Sequence, residues 1–287
     1  MKNNYKIVAV TPAGRKRYLE ILYKYICKNK HILDRWDLWV NTDVPEDLDY
    51  IKSLAENDSF VNLVYSDFPY KHWCNDATLS ISPFWTKATD EDTIYIRFDD
   101  DVVYIDNNTI EKVIDFRIKY PQYLFVYPFI INNTHHSRNL QDRNLVTKEF
   151  GMIKEEKDLM GEGIYDKVGL YSGEFLTHLH ETFFKYQSNN TQYLLSSPVA
   201  IIWEQGSQIS INSVCWFGSF FKKICPLQNG NWPVCEEDYL TIKAPKELNM
   251  NLCTVPNTLI VHFLFGTQRK ASELYDVLEK YKKIADV

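Results

Sequence analysis

Three consecutive carboxylates, Asp99, Asp100 and Asp101, stand in "IYIRFDDDVVYID" between two runs rich in β-branched and aromatic residues. Adjacent carboxylates repel one another, so the stretch is either a well-solvated turn or an oxygen-rich seat for a hard divalent cation, which commonly bridges to phosphate. A second acidic run, Glu236, Glu237 and Asp238 in "CEEDYLT", reads either as a solvated loop or as a source of a proton acceptor. In "TPAGRKRY", Gly14 allows close backbone approach and Arg15 or Arg17 supplies a cation for an anion at a helix N-terminus. That segment matches neither a Walker A nor a G-x-G-x-x-G pattern. "WVNTD" places Asn41 and Asp43 just after a strand, as ligand contacts or as a turn and helix cap. His135 and His136 are adjacent, which turns their rings apart, and no further ligand stands at metal spacing, so they read as part of a polar, acceptor-facing loop with Asn132 and Asn133. His178, His180 and Glu181 do not make an H-E-x-x-H site, which removes a zinc hydrolase.

Positioning such groups takes a frame. "YKIVAVT" reads as a buried strand, and Thr11 followed by Pro12 predicts a helix start, with Leu19, Leu22 and Ile26 recurring at helical spacing. "DLWVNT" and "FVNLVYSD" are strands around a helix in "DVPEDLDYIKSLAEN", with Leu48, Ile51 and Leu54 on one face. After "YKHWCND" and a short helical "PFWTKATDED", the strand "TIYIRF" runs into the aspartates. Strands alternating with helices predict an α/β fold with a mostly parallel central sheet covered on both faces, whose ligands sit at the carboxyl ends of its strands. The aspartates lie at such an end.

Beyond residue 106 the pattern changes. "NTIEKVIDFRIKYP" predicts a helix and "YLFVYPFIINN" a strand, whereas "NTHHSRNLQDRN" and the region to about residue 170 are polar and poorly periodic, as a ligand-facing loop would be. A helix "SGEFLTHLHETFFKYQ", strands "QISINSVCWF" and "TLIVHFLF", and a terminal helix "ASELYDVLEKYKKIA" follow. No repeat or Gly/Ser linker separates the two halves, 1–106 and 107–287, which predicts one compact body.

With these parts in order, the chain resembles the GT-A glycosyltransferases. Their nucleotide-binding sheet ends in a D-x-D motif, which Asp99, Asp100 and Asp101 in "IYIRFDDD" match by type and place. The family's acidic x-E-D motif is matched by "CEEDYLT", and its late histidine by His262 in "LIVHFLFG". The resemblance implies a Rossmann-like GT-A fold, with 1–106 as the donor-binding half and 107–287 as the acceptor-binding half. It implies a Mn²⁺ or Mg²⁺ ion held by Asp99, Asp101 and His262, and a nucleotide-diphosphate sugar bound by Thr11, Pro12, Ala13, Gly14, Arg15, Asn41, Asp43, Arg97, Asp99 and Asp100. Asp238 is then the catalytic base that takes the acceptor hydroxyl's proton, with Glu237 beside it in the catalytic pair, and Asn132, Asn133 and His135 face a glycan or glycolipid acceptor. The glycine-rich segment usual between the family's acidic motifs is represented only by "MGEGIYDKVG" or "YSGEF". Hexosyl transfer with inversion is the expected reaction. A nucleotidyltransferase of similar topology, or a sugar-binding module without turnover, are the other readings of the same parts.

Composition narrows the partners. The formal charge of −6 leaves no net basic field for a nucleic acid. No stretch reaches the roughly 18 apolar residues of a bilayer span, and "YKIVAV" is broken at once by "TPAGRKR", so a cytoplasmic protein is expected, with surface-polysaccharide synthesis as its setting and peripheral membrane association compatible with it. Six cysteines without a C-x-x-C pair predict reduced, buried thiols. Oligomeric state is not written in the sequence.

Overall fold

The computed structural model describes residues 1–67, 81–154, 168–169, 172–187, 199–224, 236–268 and 275–287. "YKHWCND", most of "MGEGIYDKVG" and Cys74, Cys225 and Cys235 lie outside the described residues. Strand β1 (Lys6–Ala13), helix α1 (Lys16–Lys28), β2 (Arg35–Val40), α2 (Pro45–Asn57) and β3 (Val61–Val64) form two β-α-β crossovers. The helical spacing of Leu19, Leu22 and Ile26 does bury one face of α1, together with Tyr18, Ile21 and Tyr25. Its end is closed by Asn29, whose side chain donates to the Tyr25 carbonyl at 2.8 Å. Pro45 opens α2 at a position where no N–H is needed.

A 3-10 turn (Ser82–Lys87) leads into β4 (Thr93–Phe98), which pairs in parallel with β1. Next come β5 (Val102–Ile105), α3 (Thr109–Lys119), β6 (Val126–Tyr127), β7 (Ile130–Ile131), α4 (Thr134–Asp142), α5 (Gly173–Gln187), β8 (Ile201–Trp203), β9 (Ser213–Phe217) and α6 (Gly218–Ile224). Three abutting helical pieces, Glu236–Asp238, the π-wound Tyr239–Lys243 and Ala244–Leu248, make α7. β10 (Leu252–Thr254), β11 (Ile260–His262) and α8 (Tyr275–Ala285) complete it.

The main sheet has the order β3-β2-β1-β4-β9-β6-β10-β8, and only β9 and β8 run against the other strands. This is the expected α/β architecture with a mostly parallel sheet. Strands from both sides of residue 106 share it. A smaller sheet, β5-β11-β7, sets β11 antiparallel to β5, the strand that follows the aspartates. One apolar cluster packs residues of α1, α3, α5 and α8 on one face of the main sheet, and a second packs the 3-10 turn and α7 on the other. In a sheet of order 3-2-1-4 the connections from β1 and β4 diverge, which opens a crevice at their carboxyl ends.

Three local expectations change. Thr11 and Pro12 do not start a helix: both stay in β1, paired with Leu38 and Trp39, and the Thr11 hydroxyl accepts from the Trp36 indole at 3.0 Å. Helix α1 begins only after Arg15, with no side-chain cap. "YLFVYPFIINN" is two strands in two sheets, because Pro128 has no N–H to continue a ladder. The polar stretch from residue 134 is helix α4, buried through Thr134, His135, His136, Ser137 and Gln141, so hydrophobic periodicity was silent there. Of the described cysteines, Cys215 and Cys253 are buried and all three are free.

Backbone packing at the β9–α6 junction admits no side chain. A Cβ on Gly218 would sit 2.2 Å from the Asp90 carbonyl oxygen and 2.9 Å from the Tyr95 ring. Gly218→Ala is expected to lower stability by about 1–3 kcal/mol through overpacking. Chemical denaturation checks it, and an unchanged midpoint would show that this junction yields.

Candidate functional site

The turn between β4 and β5 places the three aspartates beside the β1–α1 turn. Gly14 N donates to Asp100 Oδ2 at 3.1 Å, and a Cβ there would meet the Asn41 carbonyl at 2.9 Å, so glycine lets two strand ends and the turn converge. Arg15 forks onto Asp100 through Nε and Nη2, and its Nη2 also lies 3.0 Å from Asp101 Oδ2. Asp100 and Asp101 are 3% and 2% exposed, so this guanidinium is their compensation in a dry setting. Burial pushes the Asp101 carboxyl up, but Arg15 and His262 outweigh it and hold the group well below the usual carboxylate range.

The smaller sheet brings in the histidine. Antiparallel pairing sets His262 against Val102, one residue past the aspartates, and Phe263 N donates to the Asp101 carbonyl at 2.8 Å. His262 Nε2 lies 3.3 Å from Asp101 Oδ1, while its Nδ1 lies 3.3 Å from the Asn132 carbonyl oxygen. Burial lowers the imidazole and the Asp101 carboxylate raises it, with a net upward shift. Asn132, at φ 62°, turns the chain out of β7, and its amide hydrogen-bonds Gln268 at 3.3 Å, which locks this support.

Asp99, Asp101 and His262 present one ligand atom each within 4.8 Å of one another. A metal would fit them. Two carboxylate oxygens and an imidazole suit Mn²⁺ or Mg²⁺, and the Nδ1 contact to a carbonyl is the arrangement that aims Nε2 of a ligating histidine. Asp101 Oδ1, buried and facing that Nε2, has no hydrogen-bond donor among the described residues other than a protonated His262.

Behind Asp99 stands Arg97. It donates to Asp99 Oδ1 at 3.0 and 2.8 Å and to Glu236 Oε1 at 3.1 Å, while the Trp85 indole donates to Glu236 Oε2 at 2.6 Å. Asn212 completes Asp99, its amide donating to Oδ2 at 3.3 Å and its carbonyl accepting from Asp99 N at 2.8 Å.

The two remaining acids sit differently. Glu237 Oε2 accepts from Ile211 N at 3.1 Å, whereas its Oε1 is sealed from solvent with no partner among the described residues. Burial pushes this carboxyl up to about 8, against the pull of that backbone N–H. Asp238 points to Lys243 Nζ at 3.3 Å with 36% of its side chain exposed. Pro245 has no N–H for the carbonyl four residues before it, which accompanies the π-winding, and the Thr241 hydroxyl donates to the Glu237 carbonyl at 2.8 Å.

Of the residues singled out in the sequence, Gly14, Arg15, Arg97, Asp99, Asp100, Asp101 and His262 form one connected cluster, and Asn132 buttresses it. Thr11, Pro12 and Ala13 lead to it as the end of β1. Asn41 N donates to the Ala13 carbonyl at 2.9 Å; Asp43 is exposed. Asn133 caps α4 and donates to the Ser210 carbonyl at 3.3 Å, and the His135 ring packs edge-on to Trp203 at 5.2 Å. Glu236, Trp85 and Asn212 were missed as supports. Their only sequence signal is residue type, since the contacts span more than a hundred positions.

No protein-family model matches the chain, and no curated protein matches it. Among solved structures, it is similar to a 4-diphosphocytidyl-2C-methyl-D-erythritol synthase from Anaerococcus prevotii, with TM-score 0.48 and 13% identity over 98% of this chain and 97% of that one. It is also similar to the mannosyltransferase PcManGT from Pyrobaculum calidifontis, in complex with GDP-Man and Mn²⁺, with TM-score 0.47 and 11% identity over 92% of this chain. The chain spans 59% of that mannosyltransferase's length. Likenesses this distant leave function to be argued from the site itself.

Proposed function

We propose that this chain is a metal-dependent glycosyltransferase that moves a sugar from a nucleotide-diphosphate sugar to a hydroxyl of a glycan or glycolipid acceptor. The observation that carries the reading is the convergence of Asp99, Asp101 and His262 at the carboxyl end of β4, beside the β1–α1 turn. Asp99, Asp101 and His262 would hold Mn²⁺ or Mg²⁺, which supplies charge stabilisation for a departing diphosphate. Gly14 and Arg15 line the same crevice: the Gly14 N–H is taken by Asp100, and Arg15, paired with Asp100 and Asp101 but 27% exposed, is the cation that would meet a phosphate there, with Asn41 and Asp43 at the neighbouring strand end for ribose or base. Arg97 is buried between Asp99 and Glu236, and its role here is positioning: it holds Asp99 in place.

An acceptor hydroxyl must lose a proton as it attacks. Of the three acids of the 236–238 run, Glu236 is taken by Arg97 and Trp85, and Glu237 has the surroundings of a proton acceptor, with one enclosed oxygen that has no partner among the described residues and a carboxyl raised toward the working range. Asp238, the aspartate of the sequence motif, faces Lys243 at the surface and is the alternative base. Attack from the face opposite the leaving diphosphate would invert the anomeric centre. Among the described residues no helix is long and apolar enough to cross a membrane, and assembly of a surface glycan from nucleotide sugars is a setting that fits.

The first test is a thermal-shift screen of UDP, GDP, CDP, CMP and dTDP and their sugars, with and without Mn²⁺. One nucleotide diphosphate is expected to raise the melting temperature only with metal, by mass action over its Kd, and Asp101→Ala is expected to erase that shift. A metal-independent shift, or an unaltered one in the variant, would remove the metal assignment.

Glu237→Gln is expected to keep the metal-dependent shift while cutting transfer by roughly 10²- to 10⁴-fold. The wild-type rate should rise with pH through about 8 as Glu237 gives up its proton. Because the folded state binds that proton more tightly than the unfolded chain, the stability this group takes away grows from the ordinary carboxylate range up to about pH 8. The glutamine variant should therefore melt no lower than wild type at pH 9. Full turnover in Glu237→Gln with loss in Asp238→Asn would return the base to Asp238.

A further inference from the structure

Buried polar atoms are nearly always hydrogen-bonded, and this protein breaks the rule repeatedly in one region. The hydroxyls of Tyr127 and Ser210, Oδ1 of Asn212, both ring nitrogens of His135 and Oε1 of Glu237 are sealed from solvent and have no hydrogen-bond partner among the described residues. Tyr127 and Ser210 are 0% exposed and His135 3%. The segments that carry them are stitched together. Ile211 N reaches Glu237, Asn133 reaches the Ser210 carbonyl, and Asn212 reaches Asp99. His135 packs on Trp203, whose indole donates at 2.9 Å to the hydroxyl of Thr254, the residue paired with Tyr127 between β10 and β6.

We propose that these groups form a subsite for a neutral, hydroxyl-bearing unit, a sugar ring without carboxylate or phosphate, on the β6–β9 side of Asp99. The inference rests on the transferase reading and names the substrate class of that site. Phenol, serine hydroxyl and imidazole groups both donate and accept, which is the complement of a sugar hydroxyl. Trp203 and His135 add ring surface for the sugar's apolar flank. Among the described residues an acidic sugar finds no unpaired cation here. Arg97 is the cation whose field reaches Tyr127 and Glu237, and it is already paired with Asp99 and Glu236. A carboxylate would instead meet Glu237.

Saturation-transfer NMR tests this on the full chain in Mg²⁺, with and without nucleotide diphosphate. The probes are the methyl glycosides of glucose, galactose, mannose and N-acetylglucosamine, against glucuronate and galacturonate. At least one neutral glycoside should receive saturation and neither uronate should. Tyr127→Phe and His135→Phe should each weaken that binding by roughly tenfold, the size of one lost hydrogen bond to a ligand. Tyr127→Phe removes an unpartnered hydroxyl and should melt no lower than wild type, which separates ligand loss from misfolding. If the nucleotide sugar that shows the metal-dependent shift displaces the glycoside, the subsite serves the donor; if both bind together, it serves the acceptor. No neutral glycoside binding, equal uronate binding, or full binding in both variants would overturn the proposal and leave an enclosed water cluster only. Glycoside binding without any metal-dependent nucleotide shift would instead sink the transferase reading and leave the subsite standing.

Discussion

Five carboxylates, Asp99, Asp100, Asp101, Glu236 and Glu237, are held close together, and Arg15, Arg97 and His262 are the cationic groups set among them. Two like charges about 4 Å apart repel by about 4 kcal/mol at an effective dielectric near 20. Repulsion of that order rivals a domain's whole margin of stability, so the cluster exists only because cations are set among the acids, each arginine against two at once. Arg15 spans Asp100 and Asp101; Arg97 spans Asp99 and Glu236; His262 faces Asp101. Charge still falls on the acidic side. A divalent cation delivered with a diphosphate, as proposed for this site, is the addition such a balance would accept.

That constraint explains the architecture around it. Arg15 comes from the turn between β1 and α1, Arg97 from β4, Glu236 from the start of α7 and His262 from β11, so main-sheet strands, the smaller sheet and a late helix must all meet at one turn. The antiparallel intruder β9 matters for the same reason. By pairing with β4 it delivers Asn212 to Asp99 and the 207–213 segment to Glu237. The smaller sheet does the corresponding work on the other side, registering His262 against Val102. Rigid strands hold both groups, which is what a site needs if its ligands are to be positioned in advance.

Much of this frame was legible in the sequence, because periodicity reports on water exclusion. The alternation of "YKIVAV", "DLWV" and "TIYIRF" with helical spacing gave the parallel strands and their order of appearance, and the break after "IRF" marked the turn that bears the acids. His262 was found through the resemblance to the GT-A pattern, since nothing in the apolar run "LIVHFLFG" marks it by periodicity. What stayed hidden had a common cause. Helix α4 buries polar residues, so it lacks an apolar stripe; Thr11 and Pro12 carry a helix-start signal that strand pairing overrides; and Glu236, Trp85 and Asn212 act through contacts with no local trace. Sequence patterns register what is hidden from water, and a buried polar network is hidden without being apolar.

The same distinction bears on how the site can be both strained and stable. Two apolar clusters on the faces of the sheet carry the fold. Glu237 can therefore keep one oxygen unpartnered, and Tyr127 and His135 can stay without partners, at a cost the rest of the molecule absorbs. Polar atoms without a hydrogen-bond partner among the described residues are the ones that could bond a ligand. Satisfying them with protein partners would tighten the fold and fill the hydrogen-bonding positions that a sugar's hydroxyls would otherwise take.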